Sequence, residues 1–225
     1  MNILAIETSC GKASVAIYSN KKIIAFCHDD AVNMQAENLF SLIDEAFEMT
    51  GLTYEDIHYL SSTTGPGSFT GIRIGLSAVK GICLAAPKLI PIAFSNFEVM
   101  AFRGLRQISN QLKSIIVILE ASTTSLYVQT FDLALNVKHE PQTIGTSDIN
   151  YYLTDFETPY AIIGNGIKPV IDKIEQKEGL IILPRSTEVN SKHLISLAAY
   201  KLRLGKQVSS NIEPLYIKPP SVNGK

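Results

Sequence analysis

The chain has no tryptophan and only three cysteines in 225 residues, Cys10, Cys27 and Cys83. None forms a C-x-x-C pair and the count is odd, which speaks against a zinc knuckle and against a disulfide framework. A reducing, cytoplasmic setting is the expectation. Excess charge is also missing: the formal net charge is -1. That balance speaks against tight, salt-driven nucleic-acid binding by this chain alone, so RNA would have to be held through a partner. No apolar run approaches the ~20 residues that span a bilayer, so no membrane association is expected. The opening "MNILAIETSCG" has no basic leader and meets an acid at Glu7. It reads as a buried strand, not a signal peptide. A paired set of histidines is absent too. His28, His58, His139 and His193 are scattered. Two imidazoles at i and i+4 on one helical face, the usual helical metal pair, do not occur, and no metal site is expected.

What is present is a large apolar fraction, 46% of the chain, enough for a sizeable core. The pattern is α/β. Residues 3–6, 13–18 and 23–27 read as three strands joined by short turns, an antiparallel meander. Residues 34–49 repeat at helical spacing, with Gly51 placed to end the helix. A strand at 57–62 leads into "TTGPGSFTG", then a helix over 70–86 is stopped by Pro87. A strand at 89–94 and a helix at 97–106 follow.

From residue 115 the beginning returns. Ile116 to Glu120 lies over Ile3 to Glu7 at a separation of 113 residues; Val128 lies over Val15 and Phe131 over Tyr18. In both places a buried strand ends in a glutamate, turns, and comes back. Two such hairpins predict two similar lobes of the actin-like, RNase H-like kinase fold, spanning 1–106 and 107–225, the second reduced. Its elements are a strand at 160–163 running into the turn "GNGIKP", a short strand at 181–183, a helix at 193–204, and an extended, proline-broken tail from Glu213.

The glycine loop is not a Walker loop, because no lysine follows Gly71, and its spacing is not G-x-G-x-x-G. Amides of Ser68, Phe69 and Thr70 at a helix start could attract an anion; a tight strand-to-helix connection is the simpler reading. The helix after it carries Gly71, Gly75, Ala78, Gly81 and Ala85 as one stripe of small residues. Glycine inside a helix costs about 1 kcal/mol relative to alanine, so the stripe implies close approach of another backbone, from its own sheet or from another subunit.

Taken in order, "NILAIETS", "GPGSFTGIRIGLSAVKGICLA", "EASTTSLYV", "IIGNG" and "EPLYIKP" resemble the TsaB, or YeaZ, family from end to end. The resemblance implies the actin-like ATPase (ASKHA) fold without catalysis by the chain itself. It implies a scaffold that activates TsaD, the paralogous transferase, in a heterodimer, with TsaE joining. The complex moves a threonylcarbamoyl group onto N6 of the tRNA adenosine beside the anticodon. In isolation the family self-associates through its first two helices, the surface offered to TsaD; candidates here are Gln35, Asn38, Leu39, Leu42, Ala46, Gly71, Gly75 and Ala78. No cofactor of its own is implied; ATP or ADP with magnesium belongs to the complex. Kinases of this fold place acids at the hairpin turns, which makes Glu7, Thr8, Ser9 and Glu120 the candidate nucleotide contacts.

Two departures bear on function. TsaD carries an H-x-x-x-H pair on its first helix, and the corresponding segment here holds Gln35 and Asn38. Amides are poor substitutes for imidazole at a transition metal, which also tells against a metalloprotease. The family's "DAR" at the second hairpin is Glu120-Ala121-Ser122 here, lengthening the acid and losing the arginine. The alternative to a scaffold is an independent actin-like ATPase or small-molecule kinase using Glu7 and Glu120.

Overall fold

The computed structural model describes residues 1–108, 112–183 and 188–217. They divide into two compact units, Met1–Asn96 with Val189–Leu215, and Phe97–Glu188 with the residues after 215. No helix among the described residues is long and apolar enough to cross a membrane. The last eight residues of the expected extended tail lie outside the described ones.

The first unit is built on strands β1 (Ile3–Glu7), β2 (Ala13–Ser19), β3 (Lys22–Asp29), β4 (Tyr59–Thr63) and β5 (Ile90–Phe94), in the order β3-β2-β1-β4-β5. The meander β1–β3 is antiparallel, and β4 and β5 add in parallel. Every residue of β1 and β2 is buried, because both faces of the sheet are covered. On one face lie α1 (Gln35–Thr50) and α2 (Phe69–Ala85), whose Leu39, Leu42, Ile43, Val79 and Ile82 pack on Leu4, Ile6, Val15, Ile17 and Leu60. Each such aliphatic side chain contributes about 1.5–3 kcal/mol of burial. Gly51 closes α1 in the left-handed conformation, its N–H reaching the Phe47 carbonyl. The Ser68 hydroxyl caps α2 by accepting from the Gly71 N–H.

The first unit also takes in α5 (Ser191–Arg203), which packs on β1, β2 and β4. The division expected at residue 106 assigned this helix to the second lobe. It returns because its buried Leu194, Ile195, Leu197 and Ala198 need an apolar surface, and the first sheet supplies it. Asn190 and His193 cap its start reciprocally, so His193 is a capping residue.

The second unit repeats the sheet. Strands β6 (Ser114–Ser122), β7 (Ser125–Phe131), β8 (Val137–Gly145), β9 (Tyr160–Ile163) and β10 (Leu180–Leu183) lie in the order β10-β9-β6-β7-β8. β6–β8 form the antiparallel meander and β9 and β10 add in parallel. One face is covered by the short α4 (Ile149–Thr154) and by a 3-10 run over Asn165–Lys173, where only a turn was expected. The helix α3 (Asn96–Leu105) brings Gly104 against Ile115 and Ile163.

The repeat is real at the level of the sheet, and its register corrects the sequence overlay. Ile3 pairs with Tyr18, whereas Ile115, not Ile116, pairs with Phe131. β7 therefore matches β2 as read, while β6 slips by one residue against β1. Glu120 takes the place of Thr8, and Leu119 that of Glu7. A slip of one residue in a strand reverses every side chain. The inward sets agree: Leu4 and Ile6 in one unit, Ile116 and Ile118 in the other. Glu7 thus points to the sheet face away from α1 and α2. Glu120 points to the face that carries α4.

Candidate functional site

The turn after β1 is closed on itself. Glu7 is 2% exposed. One carboxylate oxygen accepts from the Ser9 N–H and the Ser9 hydroxyl, both at 2.6 Å, and the other accepts from the Thr63 hydroxyl. The Asn96 amide donates to the Ser9 hydroxyl at 2.7 Å and to the Pro66 carbonyl at 2.8 Å, tying the glycine loop to the same cluster. Burial pushes the Glu7 carboxyl above its ordinary value, and the bonds from Ser9 and Thr63 pull the other way. The Thr8 hydroxyl donates to the Gly71 carbonyl at 2.7 Å. Glu7, Thr8 and Ser9 are therefore brought together, and their side chains are spent within the protein.

The glycine loop lies directly on that turn. The Ser68 N–H donates to the Ser9 carbonyl, and the Gly71 N–H to the Ser68 hydroxyl. Two of the amides at the start of α2 are thus engaged already. A Cβ on Gly71 would sit 2.1 Å from the Thr8 carbonyl oxygen, so only glycine lets the helix come this close. Both Glu7 carboxylate oxygens are thus already taken by protein donors, so this turn offers no free carboxylate oxygen to a magnesium ion. Glu120, in the other unit, is exposed; its backbone N–H donates to the Asn165 side chain at 3.1 Å.

Among the described residues of the first unit, a groove of about 750 Å³ lies open between α1 and α2. Ala36, Leu39 and Phe40 form one wall, and Ile74, Ala78, Gly81 and Ala85 the other. Tyr54 and Glu55, from a single 3-10 turn, also line it. Phe40 stands 53% exposed on the rim. The small-residue stripe of α2 therefore has two uses. Its first half, Gly71 and Gly75, packs on Thr8, while a Cβ on Gly81 would meet nothing within 4 Å.

Of the eight residues expected at the partner face, Leu39 and Ala78 line the groove. Leu42 and Ala46 are buried in the core against the sheet. Gln35 is buried, and the Asn38 amide donates to Asp29. Gly71 and Gly75 are covered by the end of β1. Hydrophobicity led to the inward face, whereas the open groove is lined by alanines and a glycine together with Leu39, Phe40, Tyr54 and Ile74. Phe40 could have been found, with Met49, among the large apolar residues left over once the core-facing positions of α1 are filled.

A family model described as "TsaD: tRNA N6-adenosine threonylcarbamoyltransferase" matches residues 29–212. The chain is 26% identical over 221 residues to the tRNA threonylcarbamoyladenosine biosynthesis protein TsaB of Buchnera aphidicola subsp. Baizongia pistaciae, covering 96% of this chain and 97% of that one. The chain belongs to the TsaB (YeaZ) family, within the broader TsaD family. TsaB of Escherichia coli is 23% identical, with 97% of this chain and 95% of that one covered. A tRNA N6-adenosine threonylcarbamoyltransferase of Kosmotoga olearia is 31% identical, but over only 43% of this chain and 36% of its own length. Among solved structures, a YeaZ-like protein of Pseudomonas aeruginosa superposes with a TM-score of 0.78 at 18% identity, covering 96% of this chain and 99% of that one. A Bacteroides thetaiotaomicron protein with an actin-like ATPase fold gives 0.52 at 10% identity, over 87% and 95%. The fold is the actin-like one.

Proposed function

We propose that this TsaB-family chain is the non-catalytic scaffold and activator of tRNA threonylcarbamoyladenosine synthesis. It binds the transferase TsaD through the face formed by α1 and α2, and TsaE joins the pair. The assembly transfers the threonylcarbamoyl group to N6 of the adenosine beside the anticodon. tRNA is held by the complex, in the cytoplasm, and any ATP or ADP with magnesium is bound in the complex and not by this chain's own turns. In isolation the same face pairs two copies.

The observation that carries this reading is the groove. It is apolar, it is open along two helices, and it presents Phe40 to solvent, which suits a surface that a second protein covers. Two further points support it. The segment of α1 that corresponds to the transferase's histidine pair holds Gln35 and Asn38 and no histidine, and an amide does not replace an imidazole. Glu7, the buried acid at the first hairpin, has both oxygens engaged by Ser9 and Thr63.

Light scattering on a sizing column with the cognate TsaD tests the proposal. A 1:1 complex that replaces a homodimer is the expected result. No complex, with or without nucleotide, overturns it. Calorimetry with magnesium and ATP would then be the test of the ATPase reading, with Glu7→Ala as the variant that must weaken binding.

A further inference from the structure

After α5 the chain does not stop at the sheet face on which that helix lies. It continues round the edge strand β5 to the other face. The Ser209 carbonyl accepts from the Ala93 N–H at 2.9 Å, an antiparallel bridge on the outer edge of β5. Ile212 then packs into the cluster beneath α1 and α2. The Glu213 carboxylate meets the Lys80 ammonium of α2 at 2.7 Å. Finally the Leu215 N–H donates to the Thr64 carbonyl at 2.8 Å, immediately before the glycine loop that starts α2. One extended segment, Ser209 to Leu215, thus touches β5, the middle of α2 and the loop at its start.

Its placement relative to the groove is specific. On α2 the groove takes Ile74, Ala78, Gly81 and Ala85, and Lys80 falls by helical spacing on the flank away from them. The segment therefore bears on α2 from behind. It also covers an edge that would otherwise present unpaired backbone groups. Yet every residue from 206 to 215 is half-buried or exposed. Lys206 is still tied to the end of α5 through its N–H on the Lys201 carbonyl. Beyond it, a segment that meets the rest of the unit through the Ser209 and Leu215 backbone bonds, the Glu213–Lys80 surface ion pair and the Ile212 side chain belongs to the low-stability end of a protein and is releasable without global unfolding.

We propose that residues 206–215 are a brace that fixes α2 against the first sheet and sets the width of the groove, so that releasing the brace lowers docking at the opposite flank of the helix. The inference rests on the docking reading for its second half only. The fixing of α2 is a property of this chain alone.

The test is hydrogen exchange of the α2 amides in the full chain, followed by titration with TsaD. Leu215→Pro deletes the N–H that binds Thr64 and leaves Ile212 in place, so the chain stays folded; Glu213→Lys replaces the ion pair by repulsion. Leu215→Pro is expected to speed exchange in α2 about three- to tenfold, as the loss of one net hydrogen bond implies. Glu213→Lys gives a smaller rise, in keeping with an exposed pair, and Glu213→Lys combined with Lys80→Glu reverses it. TsaD affinity falls in the same order. Unchanged α2 exchange in Leu215→Pro overturns the brace. Faster exchange with unchanged affinity, where the unaltered chain does bind TsaD, overturns its control of docking. If the unaltered chain fails to bind TsaD, the docking reading fails by itself, and the brace stands or falls on the exchange data.

Discussion

The two units build the same five-stranded sheet and use its first hairpin in opposite ways. In the first unit the acid at the end of the strand is buried, faces away from α1 and α2, and binds Ser9 and Thr63. In the second the acid sits one position further along in the register, on the other face, and is exposed. The contrast teaches that a repeated fold does not carry a repeated site. Strand ends that look alike in sequence are equivalent only when their pairing register agrees, because each step reverses the side chain. A second contrast lies within α2: its first glycines let the helix close onto β1, and Gly81 leaves the groove open.

The largest effect should come from filling the closed half of α2. Gly71→Ala would drive a Cβ into the Thr8 carbonyl, and a loss of about 3 kcal/mol in denaturant unfolding is expected. Next is Glu7→Ala, which strands the Ser9 N–H and two buried hydroxyls at a cost of about 1–3 kcal/mol. Glu7→Gln keeps an acceptor for Ser9 and should be far milder, but it changes the pH profile. The native Glu7 holds its proton more tightly than the unfolded chain, whose carboxyl titrates near 4.5. Stability contributed by the protonated form is therefore lost as pH rises from below 4.5 through the raised native value. Unfolding measured across that window should show a shallower fall in Glu7→Gln. Gly81→Ala, in the open half of the helix, should stabilise by up to about 1 kcal/mol through propensity. Glu120→Ala should change stability by less than about 0.5 kcal/mol. A loss for Glu120→Ala as large as that for Glu7→Ala would break the contrast between the two hairpins.

Much of this was readable in the chain itself. The first meander, the two helices that flank the groove and their stops at Gly51 and before Pro87 follow from periodicity and capping. So does the second hairpin, since buried strands such as Ile116–Leu119 announce themselves by composition. The edge strand β8 did not: Val137–Gly145 is mostly polar, carries Pro141, and lies at a sheet edge where neither burial nor full pairing is required. α4 has only six residues and shows too little period to read. The return of α5 to the first unit is a tertiary choice that its amphipathic pattern permits but does not specify. At the site, Glu7 and Ser9 could be named, but not that they bind each other. Leu42 and Ala46 show the reverse difficulty: an apolar helix face is legible, but which apolar residues meet the sheet and which meet a partner depends on the second helix beside it.

The most direct measurement is a titration of TsaD with the unaltered chain and with Phe40→Asp, both checked for unchanged thermal unfolding. Phe40 is 53% exposed on the groove rim, so stability should hold within about 0.5 kcal/mol. If the α1–α2 groove is the docking surface, affinity falls by about 30-fold or more, the loss of about 2 kcal/mol typical of an anchoring aromatic. Equal affinity for the two proteins would contradict the groove as the docking surface.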